Sequence, residues 1–325
     1  MGIKKYDADL DNTITNAFKS DLITRGTGSN MGQSDILETF YIYGQANSSS
    51  AEKSRVLIRF PVPSIATDRT NGTIPGSGSV SFYLRMFNAK HGSTLPKNYH
   101  LHVRTVRSGW EEGYGLDMDG YTDETNNGTG SNWINRSASL AWSNAGGDYW
   151  GTDDLTSSFT QFFDNGTEDL EVDITTIVEQ WVNSAGNVLG SKDNYGLGIM
   201  LSSSHEEDLK SFYTKRFFGR GSEFFFKRPV IEARWNSAKK DDRHNFFISS
   251  SMAPAEDNLN SIYLYNSIRG QLRNIPGISQ AGEQIFVNIF SGNLANSTLT
   301  GSALQLPAGG GVASPDFNVI TGAWV

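Results

Sequence analysis

The sequence predicts an almost entirely β protein, and three observations carry that reading. Strand-length runs rich in β-branched and aromatic residues recur along the chain. Many of them alternate apolar and polar residues with a period of two. Gly, Ser, Asn and Thr crowd the stretches between them, as tight turns require. With 325 residues the chain is long enough for one large sandwich and a smaller second domain, each burying its own core.

The first strand read from the pattern is 36–44, ILETFYIYG, and the second is 54–61, SRVLIRFP, which sets Val56, Ile58 and Phe60 against Arg55 and Arg59. Residues 79–87 place Val80, Phe82, Leu84 and Met86 on one face, and 99–107 do the same with Leu101, Val103 and Thr105. Residues 109–151 show neither period but hold Trp110, Trp133, Trp142 and Trp150, which predicts a long structured loop region and a candidate glycan-stacking platform. One short helix is expected, capped by Asp173, because Ile174, Ile177, Val178, Trp181 and Val182 follow helical spacing. Strands at 196–203 and 229–235 complete the first domain, the latter with Ile231, Ala233 and Trp235 on one face.

These elements predict a jelly-roll β-sandwich over 1–236. A polar, charged linker follows over 237–258, and a small β-sandwich-like (Ig-like) unit over 259–325 with strands at 261–270 and 284–292. The apolar ending 318–325, NVITGAWV, suggests a domain that is completed by a partner subunit or continues further.

Composition narrows function. The formal charge of −8 disfavours nucleic acid as the partner. Cysteine is absent, so disulfides and thiolate metal sites are excluded. No apolar run approaches the about 18 residues of a spanning helix, so membrane insertion is not expected. The first residues lack a signal-peptide core, so synthesis in the cytoplasm is expected. In that setting the sequons at Asn47, Asn71, Asn127, Asn135, Asn165 and Asn296 read as an Asn-rich surface.

Catalytic motifs such as GxSxG, HExxH and the phosphate loop do not occur, and no enzyme activity is expected. Of the histidines, only His100 and His102 share a strand face, two ligands where a closed metal site needs about four. The pairs Glu111/Glu112, Asp153/Asp154 and Glu206/Glu207 are adjacent in sequence and read as solvated turn residues. Asp117, Asp119 and Asp123 could supply oxygens to calcium, the one ion the sequence suggests, although their spacing is not that of an EF-hand.

Between Lys210 and Arg234 basic and aromatic residues interleave. Lys215, Arg216, Phe217, Phe218, Arg220, Phe224, Phe225, Phe226, Lys227 and Arg228 form a candidate subunit interface, because Arg and Phe are enriched where proteins meet. Charge reversal at Arg216 and Arg220 is expected to abolish assembly and leave the sandwich folded.

In order, the motifs at 54–60 (SRVLIRF), 110–112 (WEE), Trp133 and Trp142, 173–181, 194–199 (NYGLGI) and 228–231 (RPVI) resemble the DNRLRE-type jelly roll, a carbohydrate-binding-module-like domain, over roughly residues 11–235. Around 213–229 the chain is similar to virion structural proteins of marine tailed phages. The resemblance implies a non-enzymatic structural component of a bacteriophage virion (capsid decoration, neck or tail-associated protein), with other virion subunits as partners and self-association into a homo-oligomer. Its alternative is a carbohydrate-binding module that recognises host surface polysaccharide.

Overall fold

A computed structural model describes residues 2–44, 50–92, 95–116, 130–182 and 189–237, together with residue 290 and six short strands beyond. The chain divides into two compact units, Met1–Ser237 and Ala238–Val325.

The first unit is an antiparallel β-sandwich of jelly-roll-like architecture. Its smaller sheet contains β1 (Gly2–Asp7), β5 (Val80–Met86), β10 (Leu170–Asp173) and β13 (Val230–Trp235), in the order β1-β13-β5-β10. Its larger sheet, curled into a half barrel, contains β2 (Leu10–Thr15), β3 (Ile36–Ile42), β4 (Glu52–Arg59), β6 (Tyr99–Thr105), β9 (Ser158–Phe163), β11 (Leu197–Leu201) and β12 (Phe212–Phe218). The order is β12-β3-β4-β11-β6-β9, and β2 pairs with β4 beside β3. A small hairpin of β7 (Asn135–Ser137) and β8 (Leu140–Ala141) lies within the Trp-rich region.

Every predicted strand of this unit is present. The inward residues Val56, Ile58, Phe60, Phe82, Leu84, Leu101, Val103 and Ile231 meet in one core between the sheets, where removing apolar area from water is the main stabilising term. The predicted helix is α2 (Thr175–Val182), and the Asp173 carboxylate accepts the Thr175 N–H at 2.9 Å. A second helix, α1 (Val62–Thr70), adds to it directly after the strand read over 54–61, in a segment for which no element was expected. Prolines are tolerated in a first helical turn because the N–H they lack has no partner there. The Arg69 guanidinium on α1 grips Glu179 on α2 through bonds of 2.9 and 2.6 Å.

Strand β2 breaks the alternation rule, with Asp11, Asn12, Thr13, Ile14 and Thr15 all buried. Its polar side chains are bonded internally: Asn12 donates to the Ser131 carbonyl at 2.9 Å and accepts the Met31 N–H at 2.8 Å, while Thr15 donates to the Lys53 carbonyl at 2.8 Å.

In the second unit, short antiparallel pairs join Ser267–Ile268 to Gln271–Leu272, Ile285–Val287 to Asn318–Ile320, and Pro307–Ala308 to Gly311–Val312. Of the expected linker, residues 238–258 lie outside the described residues.

Candidate interaction surface

The basic and aromatic segment folds as β12, a glycine-containing turn at 219–222, a single 3₁₀ turn at Phe225–Lys227, and β13. This arrangement separates the ten expected interface residues into internal and external sets. Lys215 and Phe217 are buried, and Phe218 is half-buried. Arg216 pairs with Glu38 across β12 and β3. Arg228 donates to the Ser222 carbonyl at 2.9 Å.

Arg220 is a clasp. Its guanidinium donates to Glu112 Oε1 at 2.6 Å and also bonds Oε2, its backbone N–H donates to Asp11 Oδ2 at 2.5 Å, and the Asp11 N–H donates back to Glu112 at 2.8 Å. The turn before the aromatic loop is thereby fastened both to β2 and to the WEE motif. Burial pushes the Asp11 carboxyl up to about 7; the Arg220 N–H lowers it and the neighbouring Glu112 raises it. The expected freedom of Arg216 and Arg220 to act on a partner is therefore corrected: both guanidinium groups hold the sandwich together.

What remains outside is compact. Phe224, Phe225 and Phe226 are 52%, 60% and 77% exposed, and Lys227 is exposed beside them. Phe224 meets Phe218 edge-on at 5.6 Å, the Phe225 and Phe226 rings lie 3.8 Å apart, and the Lys227 ammonium sits 5.0 Å from the Phe218 ring. Three adjacent phenylalanines held in water on a turn fixed at both ends are a surface whose covering would release free energy. A second apolar tip, which the sequence did not single out, exposes Leu22 and Ile23.

The tryptophan platform is also corrected. Trp110, Trp133 and Trp142 are buried with Ile14, Leu57 and Val106 in a second core on the outer face of the large sheet. The Trp110 indole N–H donates to the Tyr195 carbonyl at 2.8 Å and that of Trp142 to the Asn132 carbonyl at 2.9 Å. Arg55, 5.3 Å from the Trp133 ring, is bidentate on Glu206 at 3.2 and 2.7 Å. Leu57 and Ile14 make that sheet face apolar, so it needs a lid, and the indoles supply it. Trp150 is half-buried between Arg107 and Lys192, whose charged groups lie 4.9 and 4.5 Å from its ring.

The motif residues have internal roles as well. Asn194 donates to the Phe60 carbonyl at 2.9 Å, and Gly196 adopts φ +85°, where a Cβ would come within 2.2 Å of the Ile58 carbonyl. Glu112 and Glu206, expected as solvated turn residues, are instead ion-pair partners, Glu112 half-buried and Glu206 buried.

The His100 ring is tilted against Phe162 at 4.9 Å and lies 5.9 Å from His205. Among the described residues no group of three or more His, Cys, Asp or Glu is placed to hold a metal ion. The calcium candidates Asp117, Asp119 and Asp123 lie outside the described residues. An open cleft of about 570 Å³ beside Ser79, Ser81, Tyr83, Arg234 and Trp235 has no carboxylate or imidazole in its lining. None of the helices described is long and apolar enough to cross a membrane. No protein-family model matches the chain, and no curated protein matches it in sequence.

Proposed function

We propose that the protein is a non-enzymatic structural component of a bacteriophage virion, a capsid decoration, neck or tail-associated protein. In this reading it docks on another protein of the particle through the Phe224–Lys227 turn. The observation that carries the proposal is the triple phenylalanine, exposed on a turn immobilised by Arg220 and Arg228. Large aromatic anchors on a rigid support are the residues that dominate binding energy at protein interfaces. Lys227 at the edge suits a partner pocket that is apolar at its centre and acidic at its rim. The resemblance to DNRLRE-type jelly rolls and to phage virion proteins supplies the particle context, with the sandwich as rigid unit and the second unit as a further docking element.

The carbohydrate-binding alternative loses its expected platform, because three of the four tryptophans are core residues. An enzymatic reading has no catalytic motif in the sequence to start from.

The test is the full-length double variant Phe225→Ser/Phe226→Ser. Both rings are solvent-exposed, so stability should change by no more than about 0.5 kcal/mol per site, while incorporation into particles or self-association falls at least tenfold. Unchanged assembly by a folded double variant would sink the proposal.

A further inference from the structure

Lys215 is a buried lysine in a chain without cysteine, and what surrounds it is unusual. Its side chain leaves β12 at an irregularity in the register with β3, between Phe212 and Lys215, and is 1% exposed. The Nζ sits 4.9 Å from the Phe163 ring centre and 5.0 Å from that of Phe217. It donates to Asn88 Oδ1 at 2.7 Å, to the Gly166 carbonyl at 2.9 Å and to the Glu168 carbonyl at 2.7 Å. Burial lowers the ammonium to about 8, against the opposing charges of Glu168 and Asp169, so a sizeable neutral fraction exists near physiological pH.

The amide facing this amine is held and polarised. The Asn88 backbone N–H donates to Asp169 Oδ1 at 2.8 Å, and its side-chain Oδ1 also lies 3.2 Å from His91 Nε2. Burial and the nearby Lys215 and Arg216 charges depress His91 to about 4, so it is neutral and its Nε2–H can donate to the amide oxygen. Three polar atoms of the neighbourhood are buried without hydrogen-bond partners: Glu168 Oε2, His91 Nδ1 and the Tyr99 hydroxyl. The Glu168 charge is felt both by Lys215 and by the Tyr99 hydroxyl.

We propose that Lys215 and Asn88 form an intramolecular isopeptide bond that covalently joins the two sheets of the sandwich. With a C=O bond of about 1.2 Å, an Nζ at 2.7 Å from Oδ1 stands about 3–4 Å from Cγ, and rotation about the Asn88 Cβ–Cγ bond turns the face of the carbonyl to the amine. The neutral Nζ attacks Cγ while the His91 N–H takes up the charge that develops on Oδ1. The Nζ–Cγ bond forms, the Cγ–Nδ2 bond breaks, and Nδ2 leaves as ammonia. One of the two Nζ hydrogens remains as the amide N–H. The other is transferred to Nδ2 and departs with the ammonia. No oxidant or cofactor enters the balance. Asn88 follows β5 of the small sheet and pairs with Phe217 of β12 in the large one, so the bond would close the sandwich between its layers.

Intact-mass spectrometry of the full chain, with peptide mapping, tests the proposal. The expected result is a protein lighter by one ammonia, a peptide containing Asn88 linked to one containing Lys215, and no tryptic cleavage after Lys215. The Lys215→Met variant, which keeps a long buried side chain, should retain the full mass while its circular dichroism remains that of the folded sandwich. Full mass in the wild-type protein, even after prolonged incubation at mildly alkaline pH where the amine is neutral, overturns the bond. So does an ammonia loss that maps to a succinimide at Asn165–Gly166. An ammonia loss that persists in Lys215→Met likewise overturns the bond.

Discussion

Arg220 was legible in the sequence only as one of a run of basic residues. What distinguishes it is Glu112, more than a hundred positions away, which receives its guanidinium, and Asp11, which receives its N–H. Replacing Arg220 by Glu should therefore lower stability by about 2–3 kcal/mol in chemical denaturation, because a largely buried carboxylate is left opposing another; an unchanged midpoint would refute the clasp. Asp11 gives this cluster a pH dependence of definite sign. Its folded value of about 7 is above the ordinary carboxylate value, so the folded state holds the proton more tightly. Its contribution is fully favourable below the unfolded value and is lost as pH rises through the window up to about 7. Asp11→Asn removes that loss, so the variant should be more stable than wild type near pH 8, with the difference shrinking towards pH 4. A difference that stays constant over that window would show that Asp11 does not titrate there.

At the level of elements, period-two patterning identifies strands that bury one face and misses those that do not follow it. The strands β5 and β6 alternate and were readable, and so was β4, although Leu57 on its outer face is buried as well. Strand β2, LDNTIT, was not, since it is buried throughout and its polar groups find partners in segments remote in sequence. The same limit explains the tryptophans. A run of indoles among glycines and asparagines looks the same whether it faces a sugar or a sheet, and only the apolar outer face of β2 and β4 decides the matter. Trp133→Ala should accordingly lower stability by about 3–5 kcal/mol, measured by urea denaturation, and leave any polysaccharide affinity of the protein unchanged. Gly196→Ala, forced into a positive φ and against the Ile58 carbonyl, should lower stability by about 1–3 kcal/mol in the same assay.

At the scale of the whole molecule, the main core among the described residues is built from residues between Tyr6 and Trp235. A chain ending at Ser237 should therefore unfold in one cooperative transition with the midpoint that the first unit has in the intact protein. A broad, non-cooperative transition would show that the first unit depends on the second. The sequence by itself determined the class, an antiparallel β-sandwich, together with the inward faces of its regular strands and the amphipathic helix at 174–182, because these follow from local periodicity that any chain segment displays alone. Which arginines are consumed by internal carboxylates, which aromatics are covered and which stay wet, and which amide lies 2.7 Å from the Lys215 amine were decided only by the tertiary structure. Each of these depends on pairings across long sequence separations, and neither composition nor spacing encodes which two distant groups the folded sheets bring into contact.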